Sequence, residues 1–104
     1  MANFKNISIS DVAANIDNLT IVDIRDPSSF AAGHIPGAMP LSNDNFADFI
    51  TNTDKASPIV VVCYHGMSSQ QAAQTIAAQG FSNVSSMDGG FETWKLSQKV
   101  ESDL

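Results

Sequence analysis

The stretch Ile59-Val60-Val61-Val62-Cys63-Tyr64-His65-Gly66-Met67-Ser68-Ser69 (IVVVCYHGMSS) sets a β-branched run against a polar loop. An isoleucine followed by three valines, with no polar alternation, suits a strand buried on both faces, as at the centre of a parallel sheet. The run ends at the chain's only cysteine. Ser68 stands three residues before Gln71, the capping-box spacing, and Ala72, Ala73, Ile76 and Ala77 then recur at helical spacing until Gly80. A helix is therefore expected to begin five residues after Cys63.

On either side of this unit, strand and helix signals alternate. Phe4 to Ile7, Leu19 to Ile24, Met39 to Leu41 and Val84 to Met87 read as strands. Ser8 or Ser10 can cap a helix carrying Val12, Ala13 and Ile16. Pro27 suits the first turn of a short helix over Ser28 to Ala32, closed at Gly33. Ser42 can cap a helix whose Phe46, Phe49 and Ile50 share a face, and Gly89-Gly90 opens one carrying Phe91 and Trp94. The expected fold is a doubly wound α/β domain: a mostly parallel five-stranded sheet with helices on both faces.

The chain has 104 residues, room for one hydrophobic core, so a single domain over 1–104 with a core at about 4–97 and a short C-terminal tail is expected. Eleven acidic against five scattered basic residues give a net charge of −6, which disfavours nucleic acid and anionic membrane surfaces as partners. One cysteine cannot form an internal disulfide, and no Cys/His cluster has metal-ligand spacing. The longest apolar run, Ile59 to Cys63, falls far short of a membrane span, and MANFKNISIS lacks a signal-peptide stretch. A cytoplasmic protein is expected, monomeric or weakly dimeric, since no patch or heptad points to an obligate dimer.

Cys63 has two readings. Free cysteine is usually an inert, buried small hydrophobe. In open parallel sheets, however, sites gather at the carboxyl ends of strands, where Cys63 stands. Amides of residues 64 to 69 curling around the sulfur, with the positive end of the following helix, would favour a thiolate. Gly66 permits such a curl.

Three stretches carry a family resemblance. Cys63-Tyr64-His65-Gly66-Met67-Ser68 resembles the six-residue active-site loop of the rhodanese sulfurtransferases, in the form found in small single-domain bacterial members. Ile21-Val22-Asp23-Ile24-Arg25-Asp26, with Phe30-x-x-Gly33-His34-Ile35-Pro36-Gly37-Ala38, is similar to the family's N-terminal signature. Asp88-Gly89-Gly90-Phe91-Glu92-Thr93-Trp94 is similar to the C-terminal one. The resemblance runs from about Phe4 to Trp94.

What the resemblance implies is thiosulfate:cyanide sulfurtransferase activity by double displacement, with Cys63 as nucleophile and Tyr64, His65, Gly66, Met67, Ser68 and Ser69 as the substrate-binding loop. The Cys63 thiolate would take the outer sulfur of thiosulfate, release sulfite and become a persulfide, which cyanide or a small thiol then discharges. Because the persulfide is anionic too, the same amides can hold thiolate and intermediate. No metal or organic cofactor is implied. A persulfide carrier delivering sulfur to a protein such as a thioredoxin is the alternative, with the same chemistry at Cys63.

Departures and competing roles sharpen this picture. Many rhodaneses carry Arg or Lys in the loop, whereas this loop has neither, so either thiosulfate affinity should be weak or the true donor or acceptor should be a protein or a small thiol. Related phosphatases use Cys-x5-Arg, whose arginine clamps phosphate bidentately; here that position is Ser69. His65 either adds positive charge near the substrate or points outward. Ser68 is explained as a helix cap, and Tyr64 and Met67 are expected at the mouth of the site. His34 reads as structural. Asp23, Arg25 and Asp26 should fix the loop after the second strand, with Glu92 a candidate partner for Arg25. Phe91 and Trp94 read as core.

Overall fold

A computed structural model describes residues 3–104. Its five strands are β1 (Lys5–Ile7), β2 (Thr20–Asp23), β3 (Met39–Pro40), β4 (Ile59–Val62) and β5 (Val84–Met87). They lie in the order β1-β5-β4-β2-β3, and every neighbouring pair is parallel. The helices are α1 (Ile9–Ala14), α2 (Pro27–Ala32), α3 (Phe46–Asn52), α4 (Ser68–Ala78) and α5 (Gly90–Trp94).

β4 is central and wholly buried, as its unbroken apolar run requires. Its residues divide between two cores. Ile59 and Val61 pack with Phe49 of α3 and with Ala73, Ile76 and Ala77 of α4. Val60 and Val62 pack with Val12 of α1 and with Phe91 and Trp94 of α5. A strand apolar on both faces is thus covered by helices on both, which brings Cys63 to the sheet's carboxyl edge.

Local chemistry accounts for the ends of the helices. The Ser8 hydroxyl accepts from the Asp11 amide and caps α1. The Asp26 carboxylate caps α2, with Pro27 in its first turn. Two expectations are corrected. α1 stops at Ala14, and Ile16 falls in a separate 3-10 turn, Ile16–Asn18. α3 is preceded by Asn45, not Ser42. Ser42 lies in the turn before it, where its amide donates to Asn45 Oδ1 at 2.8 Å and its hydroxyl accepts from the Asp44 amide at 3.2 Å. Among the described residues no helix is long and apolar enough to cross a membrane.

Candidate active site

Cys63 is the first residue beyond β4, and its side chain is almost fully enclosed. The chain then turns back on itself. Gly66, at φ 88°, directs its N–H at the Cys63 sulfur, 3.1 Å away. Sγ also lies 3.3 Å from the Ser69 hydroxyl. Burial pushes the thiol's pKa up. The Ser69 hydroxyl and the backbone amides of Ser69, Gly66 and His65 outweigh that effect, and the net position is below the ordinary thiol value. Of the amides expected around the sulfur, that of Gly66 hydrogen-bonds to it, and those of His65 and Ser69 also favour its thiolate.

The loop is held from three directions. From α4, the Gln70 amide donates to the Gly66 carbonyl at 2.9 Å. From α5, the Phe91 and Glu92 amides donate to the Cys63 and Tyr64 carbonyls at 2.8 and 3.0 Å. This stacking depends on Gly90, at φ 68°, where a Cβ would run into the backbone of Tyr64 and His65. From α2, Asp26 and Ser29 receive the Tyr64 hydroxyl. Hydrogen bonds from the hydroxyls of Ser28, Tyr64 and Ser29, and from the Ser29 amide, hold the Asp26 carboxyl well below the usual carboxylate range.

Arg25 forms a buried platform under this corner. Its Nη2 lies 2.8 Å from Asp23 Oδ2 and 2.6 Å from the Gly33 carbonyl oxygen. Its guanidinium stands 4.0 Å from the centre of the Phe91 ring and 5.7 Å from that of Tyr64. Glu92, a candidate partner for Arg25, instead pairs with Lys95 at 2.7 Å, and Asp23 holds the arginine.

The predicted loop residues separate by environment. Ser69 is buried, whereas Tyr64, His65, Met67 and Ser68 are exposed, with Met67 at 74% the most open large hydrophobic beside the site. Ser68 is not a cap. The chain is already in the right-handed helical region at Met67, and Ser68 is the first residue of α4. His34 is buried and stacked on Phe30 at 4.0 Å, with Nδ1 2.8 Å from the Phe30 carbonyl oxygen, a structural position as expected. Phe91 and Trp94 are buried core residues, and Phe91 also faces Arg25.

Gln70 and Ser86 went unrecognised in the sequence. The Ser86 hydroxyl, on β5, lies 2.7 Å from that of Ser69 and thereby touches the sulfur's own partner. The available signal was the pair Ser85-Ser86 within a strand meant for burial, since buried hydroxyls require partners. Beside the loop opens a groove of about 540 Å³, lined among others by Ile24, Asp26, Leu41, Phe46, Ser68 and Ile76.

Fold and site together describe a doubly wound α/β domain with its one thiol at the carboxyl end of the central strand. Residues 8–97 match the rhodanese-like domain model. The chain is 54% identical over 96 residues to the thiosulfate sulfurtransferase GlpE of Pseudomonas entomophila, covering 91% of this chain and 88% of that one. It is 52% identical over 102 residues to that of Pseudoalteromonas translucida, covering 94% and 97%. The solution structure of a rhodanese-like domain from an Anabaena protein superposes with a TM-score of 0.84 at 25% identity, covering 96% of this chain and 80% of that one. The chain belongs to the rhodanese-like family.

Proposed function

We propose that this protein transfers the outer sulfur of thiosulfate to cyanide or a thiol through a persulfide on Cys63, acting as one domain in a reducing, cytoplasmic compartment. The observation that carries the reading is the sulfur's environment: a thiol held by the Gly66 amide at 3.1 Å and the Ser69 hydroxyl at 3.3 Å, with its pKa lowered by these neutral donors.

In the first half-reaction the Cys63 thiolate forms a bond to the outer sulfur of thiosulfate. The sulfur–sulfur bond breaks, and its electron pair leaves with sulfite. In the second, cyanide carbon bonds to the persulfide's outer sulfur, thiocyanate departs and the thiolate is restored. Charge on sulfur is negative at both resting points, so amides preset around one anion suit the next with little reorganisation. Gly66 supplies a donor, Ser69 a hydroxyl, and Tyr64, His65, Met67 and Ser68 form the mouth through which the anion enters.

Delivery to a protein thiol, such as that of a thioredoxin, is the second reading. Met67, 74% exposed at the mouth, favours it, since an open apolar side chain there offers contact area to a macromolecular acceptor. The test is thiocyanate production from thiosulfate and cyanide by the wild type and by Cys63→Ala, alongside transfer to glutathione and to a thioredoxin. The wild type should produce thiocyanate and the variant none. Equal rates in both would remove Cys63 from the mechanism, and a marked preference for the protein acceptor would favour the carrier reading.

A further inference from the structure

We infer that Ser86 is a positioning residue for Cys63, acting only through Ser69 to orient the hydroxyl that faces the sulfur. Three groups follow one another in contact: Ser69 Oγ lies 3.3 Å from Cys63 Sγ and 2.7 Å from Ser86 Oγ. They come from three separate elements, the end of β4, the first turn of α4 and the interior of β5. Ser69 and Ser86 are 0% and 1% exposed, so the chain of hydroxyls is closed to bulk water. Seventeen residues separate the serines, and the sheet order, which sets β5 beside β4, brings them together.

A hydroxyl has one proton to donate, and the position of that proton decides what the sulfur experiences. In the thiol form, Sγ–H donates to Ser69 Oγ, and the Ser69 proton turns to Ser86. In the thiolate form the direction reverses: Ser86 donates to Ser69, and Ser69 donates to the sulfur. The thiol proton itself leaves to solvent, and the hydroxyls only rotate. Ser86 therefore gives Ser69 a donor that leaves its own proton free for the anion, and bonds in such a chain strengthen one another at low dielectric. Charged and titratable residues on the surrounding elements are Asp23 at the end of β2, Arg25 after it, Tyr64 and His65 in the loop, Asp88 after β5 and Glu92 in α5. Among the described residues, none of their side chains is a hydrogen-bond partner of the sulfur.

The inference rests on the reading of Cys63 as a reacting thiolate, but its test does not use sulfur transfer. The rate of Cys63 alkylation by iodoacetamide is measured against pH, by intact mass, for the wild type, Ser86→Ala, Ser86→Thr, Ser69→Ala and the Ser69→Ala/Ser86→Ala double variant. Ser86→Ala should raise the inflection by roughly half to one pH unit, while Ser86→Thr, which keeps the hydroxyl, stays within a few tenths of the wild type. In the Ser69→Ala background, Ser86→Ala should add nothing. An unchanged inflection in Ser86→Ala, or the same shift with and without Ser69, overturns the inference. Failure of thiosulfate to load the wild type, with the alkylation shifts as expected, would count against the proposed donor and not against Ser86.

Discussion

Gly90 lies so close to His65 that a Cβ on it would sit 2.5 Å from the His65 backbone nitrogen, closer than any real Cβ contact. The first turn of α5 is thereby pressed against the backbone of the Cys63 loop, and the Gly89-Gly90 pair reads as the seat of that loop.

Gly90→Ala should therefore cost about 2–4 kcal/mol, from overpacking against backbone and from the positive φ of 68°. Because the clash falls on the loop, sulfur transfer should drop at least tenfold even where the variant is folded. Gly80→Ala is the control: its φ is 99°, but a Cβ there meets nothing within 4 Å, so activity should survive a modest loss of stability. Chemical denaturation and thiocyanate assays on both variants check the contrast.

Asp23 and Arg25 are 0% and 3% exposed at their side chains, and their ion pair is 2.8 Å long. Removing one partner strands the other charge, so Arg25→Met should destabilise the protein by about 3–5 kcal/mol. Replacing both with apolar residues should recover part of the loss, measurable by urea denaturation of the single and double variants.

A Cys63 pKa held below the ordinary thiol value by the Ser69 hydroxyl and nearby amides fixes a sign for stability against pH. The unfolded thiol titrates near its ordinary value, so stabilisation from the held thiolate is complete above that value and disappears as pH falls through the lower, folded pKa. The stability of the wild type relative to Cys63→Ala should therefore rise with pH across this window. A difference independent of pH would contradict the lowered pKa.

Much of this geometry was legible in the residues, because it follows from local rules. Ile59 to Val62 could only be a strand buried on both faces, and Ser8 had the spacing of a cap. Ser42 and Ser68 had similar credentials and failed. At Ser68 the loop has already turned into helical backbone by Met67, so the hydroxyl is one residue late to cap α4. Glu92 was misjudged because Arg25's fork is filled by Asp23 two residues away, while Lys95 stands one helical turn from Glu92. Ser86 needed the strand order, which no local spacing encodes.

The loop carries neither Lys nor Arg, and the chain's net charge is −6, so the expected attraction for anionic thiosulfate is weak. Met67→Lys, at an exposed position of the Cys63 loop, should lower the KM for thiosulfate by about two- to fivefold at low salt, an advantage that shrinks as ionic strength rises. Steady-state kinetics at two salt concentrations check both parts.

The most direct test of the central claim is the intact mass of the protein after treatment with thiosulfate alone, followed by cyanide. The wild type should gain one sulfur atom, lose it on addition of cyanide, and release thiocyanate in equal amount, while Cys63→Ala gains nothing. A wild type that gains no sulfur from thiosulfate, or a Cys63→Ala variant that gains as much, would contradict a persulfide on Cys63 as the intermediate.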